Sequence, residues 1–211
     1  NFEKINDLNV FPVPDGDTGS NMLHTIASVA KAISAMPDDA GCGEVGSVAA
    51  RSAIMGARGN SGVILSQLLR GIGKGVAGKR NLSINEIGKA FQYGILYAYR
   101  SVSKPVEGTI LSVARGMAKR AYNATRTSDF LEDVLNEAIR VGKDELAATP
   151  EKLPVLKEAG VVDAGAQGLL CFFEGCLAGL RGEECEALVI AAPPKSQKIG
   201  TGEPLDLEFP Y

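Results

Sequence analysis

Apolar residues recur at three- and four-residue steps along most of the chain, and almost no stretch alternates apolar and polar positions as a strand would. From Asn21 onward, Met22, Ile26, Val29, Ala30 and Ile33 share one helical face until Pro37 ends the run. A polar loop from Asp38 to Gly43 leads to an Ala-rich helix over about Glu44 to Met55. Gly56 to Gly62 interrupts the pattern, and a third helix starts around Ser61 with Val63, Ile64, Leu65, Leu68, Leu69 and Ile72. Ser83 followed by Glu86 is a capping box, predicting a helix through Phe91, Ile95 and Tyr99 that Pro105 breaks. Gly108-Thr109 opens a helix toward Tyr122, and Ser128 or Asp129 caps another carrying Val134, Leu135, Ile139 and Leu146. A short helix is expected from Pro150 to Lys157, and a last one after Asp163 with Leu169, Leu170, Phe173, Leu177 and Leu180.

About eight helices with short connections give an all-α class, one domain over residues 1–182. From residue 183 to 211 the composition shifts to a short apolar patch (Leu188 to Ile190) and then Pro193-Pro194, the expectation for an extended tail or linker. The chain opens in mid-pattern on Asn1 rather than Met, as expected for a piece of a longer protein with its first helix truncated.

Charge narrows the classes. Over 211 residues, 22 basic and 25 acidic side chains are well mixed and the formal net charge is −3, so no nucleic-acid footprint is expected. No apolar stretch is long enough to span a bilayer, and there is no signal peptide pattern. Cysteines stand at 42, 171, 176 and 185 without C-x-x-C spacing, and one His (His24) cannot complete a zinc set. Cys171 and Cys176 fall in an apolar run and read as buried thiols, and a reduced, cytoplasmic setting is the expectation.

The chemistry concentrates in Val10 to Met22, V-F-P-V-P-D-G-D-T-G-S-N-M. Pro12 and Pro14 stiffen the approach, Gly16 and Gly19 let the backbone turn tightly, and Asp15 and Asp17 stand beside a helix start. Carboxylates so placed can hold a hard cation while the helix N-terminus attracts an anion, which points to a divalent metal with phosphate. Taken alone, such a loop is more commonly a capped turn. It is no EF-hand, since Ser20 stands where the invariant Gly belongs and Ile26 where the bidentate Glu belongs. Residues 73–80, G-K-G-V-A-G-K-R, imitate a P-loop but place Arg80 where a metal-binding hydroxyl is needed, after a helix rather than a strand. His24, one turn past Ser20, reads best as a surface residue.

Four segments in order carry a family resemblance: Asn9 to Asn21, Gly56 to Gly62, Pro105 to Thr109, and Gly160 to Gly168. They resemble the nucleotide-binding subunit of dihydroxyacetone kinases and, more closely, the N-terminal nucleotide-binding domain of bacterial fatty acid kinase. The resemblance implies an antiparallel barrel or bundle of about eight helices binding ATP and two Mg2+ ions at one end. It implies Asp15 and Asp17 as metal ligands, with Asn9 near the place of a third ligand that is Asp in dihydroxyacetone kinases. Nucleotide contacts carry over to Thr18, Gly19, Ser20 and Asn21, to Asn60, Ser61 and Gly62, to Gly108 and Thr109, and to Asp163, Ala164 and Gly165. For the last group a simple Asp cap with small packing residues remains the alternative.

The implied partners are a separate acyl-binding protein carrying the fatty acid and the remaining domains of a longer parent chain, through which a homodimer is open. A fatty-acid carboxylate is already ionised near neutral pH, so its phosphorylation needs no general base from this chain. The alternatives are a subunit phosphorylating a small hydroxyketone and a non-catalytic nucleotide-binding scaffold.

Overall fold

The computed structural model describes residues 1–183; the tail expected over 183–211 lies outside the described residues from residue 184 on. The described chain is all helical: α1 (Phe2–Asp7), α2 (Thr18–Ile33), α3 (Cys42–Gly56), α4 (Gly59–Gly75), α5 (Ile84–Arg100), α6 (Ile110–Ala124), α7 (Leu131–Ala147), α8 (Thr149–Lys152), α9 (Pro154–Ala159) and α10 (Ala164–Leu180). The seven long helices match the periodic runs. The additions are short: α1 has too few residues to show a period, and the helix expected at 150–157 is divided at the extended Leu153 into α8 and α9.

Local signals explain most boundaries. Ser83 caps α5 in a reciprocal box, with the Ser83 amide donating to Glu86 Oε2 at 2.8 Å. Lys79, ion-paired to Glu86 at 2.6 Å, and the Ser83 amide together hold the Glu86 carboxyl down at about 2. This pairing places the false P-loop at the end of α4 and the turn that follows. At α7 the cap is one residue later than expected: Phe130 is the N-cap, and the Ser128 hydroxyl accepts from its amide.

Consecutive long helices pack side by side from α2 to α7, and α10 then closes the ring against α7, α6 and α2. Consecutive long helices run antiparallel, whereas α10 closes the ring parallel to α2 and α6. Gly71 and Gly75 of α4 meet Gly94 and Ala90 of α5 in reverse order, and Arg181 after α10 binds Glu132 at the start of α7 at 2.8 Å. The main apolar cluster buries Leu65, Val113, Val134, Leu169 and Leu170, and a smaller one gathers Val29, Ala53 and Leu69 between α2, α3 and α4. Burying such side chains supplies about 1.5–3 kcal/mol each before the entropy cost of ordering them. α6 is the central stave, its small Ala114, Ala118 and Ala121 letting neighbouring helices approach. Cys171 is half-buried and Cys176 lies on the surface, so neither is the buried thiol that the sequence suggested. Among the described residues no helix is long and apolar enough to cross a membrane.

Antiparallel alternation has one consequence for function. The N-termini of α2, α4, α6 and α10 all emerge at the same end.

Candidate functional site

At that end lies a cleft of about 570 Å³. Its polar wall carries Asn9, Asp15, Asp17, Thr18, Asn60, Ser61, Thr109, Asp163 and Gly165, nine of the residues singled out in the sequence. All four sequence segments therefore meet in one place. Each helix start brings first-turn amides that the helix itself leaves without acceptors, and a partial positive charge.

The acidic loop is held from α1. Asp17 is the N-cap of α2, yet its side chain makes no capping bond. That job falls to Asn6, whose Oδ1 accepts from the Ser20 amide at 3.1 Å while its Nδ2 donates to Ser20 Oγ at 2.9 Å. The Asp17 carboxylate is thereby left for another ligand. Gly19 makes the clasp possible, because a Cβ there would collide with the Phe2 carbonyl oxygen. Asn9 is buried: its Nδ2 donates to Asp15 Oδ1 at 2.6 Å and to the Val13 carbonyl at 3.2 Å, and its Oδ1 accepts from Thr18 Oγ1 at 2.8 Å.

On the second loop, Gly59 adopts φ +55° against the Asn21 side chain, a conformation that favours glycine. Gly62 seats α4 against Thr25 of α2. On the third, the Gly108 and Thr109 amides donate to the buried Ser112 Oγ at 3.0 and 3.1 Å, which fixes the start of α6. At α10 the Asp163 carboxylate caps its own helix through the Ala166 amide at 2.8 Å. Burial pushes Asp163 up to about 6, against the pull of the Ala166 and Ile110 amides. It both caps and lines the cleft. Gly165 lets α10 approach Ile110 closely.

The remaining expected residues support the walls rather than line them. Gly19, Ser20, Asn21, Gly62, Gly108 and Ala164 pack behind the cleft, and His24 is exposed away from it. The sequence reading gave no role in the cleft to its apolar lining residues Phe11, Val13, Val63, Ile64, Val102, Val106 and Leu111. It also missed Lys104, the one basic side chain lining the cleft among the described residues. No motif marks residues 101–104; only their place just before the Pro105–Thr109 segment brings them here.

The donor set suits magnesium bound together with phosphate. Mg2+ takes one or two carboxylates, keeps waters and completes its shell with phosphate oxygens, and Asp15 with Asp17 offers that pair on one loop. Among the described residues no three His, Cys, Asp or Glu side chains cluster closely enough for a cage made by protein alone.

A family model described as the DAK2 domain matches residues 12–178, which takes in both aspartates and every helix start of the cleft. Protein YloV of Bacillus subtilis (strain 168) is 48% identical over 183 residues, covering 87% of this chain and 33% of the relative. An uncharacterized protein of Staphylococcus epidermidis is 46% identical over 187 residues, covering 89% of this chain and 34% of the relative. One of Staphylococcus haemolyticus is 44% identical over 203 residues, covering 96% and 35%. The chain thus spans about a third of the length of these relatives. With its helix starts, paired aspartates and matched span in one frame, the chain belongs to the DAK2-domain family, a kinase family like the L subunit of dihydroxyacetone kinases.

Proposed function

We propose that the chain is the ATP- and Mg2+-binding domain of a kinase that phosphorylates a fatty-acid carboxylate presented by a separate acyl-binding protein. The observation that carries the nucleotide and metal part is the Asp17 carboxylate, freed from capping by Asn6 and set beside Asp15 where four helix starts converge. Asp15 and Asp17 would hold the metal; magnesium bound there bridges phosphate oxygens and offsets the charge that develops in phosphoryl transfer. Asn60 and Ser61 offer amide, hydroxyl and helix-start donors to the phosphates, and Thr18 offers its backbone amide, its hydroxyl proton being given to Asn9. Lys104 adds a positive charge to the cleft, and its apolar lining of Val63, Val102, Val106 and Leu111 suits a base or sugar.

An ionised carboxylate acceptor has no proton to give up and so needs no base from the cleft. The closeness of the four segments to fatty acid kinase supports this acceptor. The relatives' extra length leaves room for further domains of a parent protein.

Calorimetry with Mg2+ and ADP tests the first part: binding is expected, with Asp15→Ala and Asp17→Ala each abolishing the magnesium-dependent component while helical circular dichroism stays intact. Retained binding in both variants would sink the metal assignment. ADP release by the full-length parent with an acyl-loaded carrier protein tests the acceptor. Turnover of dihydroxyacetone instead would move the reading to a hydroxyketone kinase, and no turnover with either would leave a nucleotide-binding scaffold.

A further inference from the structure

Asn9 lies one residue before the acidic loop, buried at 6% exposure, and every polar atom of its side chain is engaged. Which end of the amide faces which partner is fixed by chemistry. Asp15 Oδ1 and the Val13 carbonyl are acceptors only, so the nitrogen must face them, and the oxygen then faces the Thr18 hydroxyl. Asn9 therefore touches both sides of the turn: the carboxylate on the loop and the first helical residue of α2.

We propose that Asn9 is a positioning residue, clamping the Asp15 carboxylate and the Thr18 hydroxyl at the mouth of the cleft, and not a metal ligand. The clamp requires a neutral donor at position 9. A carboxylate there cannot donate to Asp15 and sets like charge against it at hydrogen-bond distance. The inference rests on the reading of Asp15 as a ligand, and it reverses the role that the resemblance implies for Asn9. Partners that orient a ligand in this way typically cost about 10–100-fold in metal affinity when they are removed.

The two roles predict opposite orders of variants. Mg2+ affinity is measured by titration in the presence of ADP for wild type, Asn9→Ser, Asn9→Ala and Asn9→Asp, with melting curves to confirm folding. Positioning predicts wild type tightest, Asn9→Ser next because it keeps a neutral donor, and Asn9→Asp weaker by about 10–100-fold. Asn9→Asp binding magnesium as tightly as wild type, or more tightly, overturns the proposal and makes position 9 a ligand. If the wild type shows no magnesium-dependent nucleotide binding, the functional reading fails, and the clamp is then read directly by NMR of the metal-free chain. Slow solvent exchange of the Asn9 side-chain amide protons, lost in Asp15→Ala, supports the clamp. Fast exchange in the wild type overturns it.

Discussion

Thr149 and Asp163 are joined across fourteen residues: the Asp163 amide donates to Thr149 Oγ1 at 3.1 Å, and the same hydroxyl donates to the Leu146 carbonyl at 2.7 Å. One hydroxyl thus ties the end of α7 to the start of α10, and Thr149 is fully buried. Thr149→Val removes this partner from a buried amide and carbonyl at nearly constant volume. The expected loss is about 1–3 kcal/mol, read as a fall in melting temperature of about 2–4 °C per kcal/mol. Thr149→Ser keeps the hydroxyl and should melt closer to wild type.

Asp163 makes stability depend on pH in an unusual direction. Its folded value of about 6 lies above the ordinary 3.8, so between these the folded chain binds more protons than the unfolded chain. The contribution is therefore fully present below about 3.8 and is lost as pH rises through about 6. Asp163→Asn imitates the protonated form and can still accept from the Ala166 amide. Denaturant unfolding from pH 4 to 7 should show wild type losing on the order of 2 kcal/mol relative to Asp163→Asn. A constant difference across that range would refute the shift.

Gly19→Ala should damage the site from behind. Its Cβ would strike the Phe2 carbonyl and crowd Asn6 and Ile5, forcing α1 off the first turn of α2. Overpacking of this kind costs about 1–3 kcal/mol. It should also lower Mg2+-ADP affinity, because the Asn6 cap that leaves Asp17 free would be displaced. Wild-type affinity in a folded Gly19→Ala would separate α1 from the site.

Lys104→Gln should weaken Mg2+-ATP binding by roughly fivefold at low ionic strength, the scale of one exposed charge near phosphate. The difference should shrink as salt is added. A salt-independent effect would assign Lys104 a packing role.

The bundle was legible in the sequence because its long helices are punctuated: the Ser83–Glu86 box, Thr109 and Asp163 all cap where the pattern places starts. Most polar residues of the cleft were legible through the family resemblance of the four segments, since taken alone the acidic loop reads as a capped turn. What could not be read depends on residues distant in sequence. Six-residue α1 carries no periodic signal, so Asn6 as the cap of another helix's Ser20 is invisible without the packing of α1 on α2. Residues 101–104, which bring Val102 and Lys104 to the cleft, have no composition that distinguishes them from an ordinary connection. Asp17 shows the limit of local rules: it occupies the capping position and does not cap.

The cleft draws on residues 9–18 at one extreme and 163–165 at the other, brought together because α10 packs against α1 and α2. During synthesis the acidic loop emerges early, but the cleft lacks its Asp163 and Gly165 edge until the start of α10 has been made. If nucleotide is the ligand, as proposed, its capture is a late event that reports ring closure, and any ligand held there fastens the first helices to the last. By mass action it adds its binding free energy to the unfolding of the whole ring. Ligand-induced protection from proteolysis should accordingly extend to the α7–α10 seam and not stop at the loops that touch the ligand.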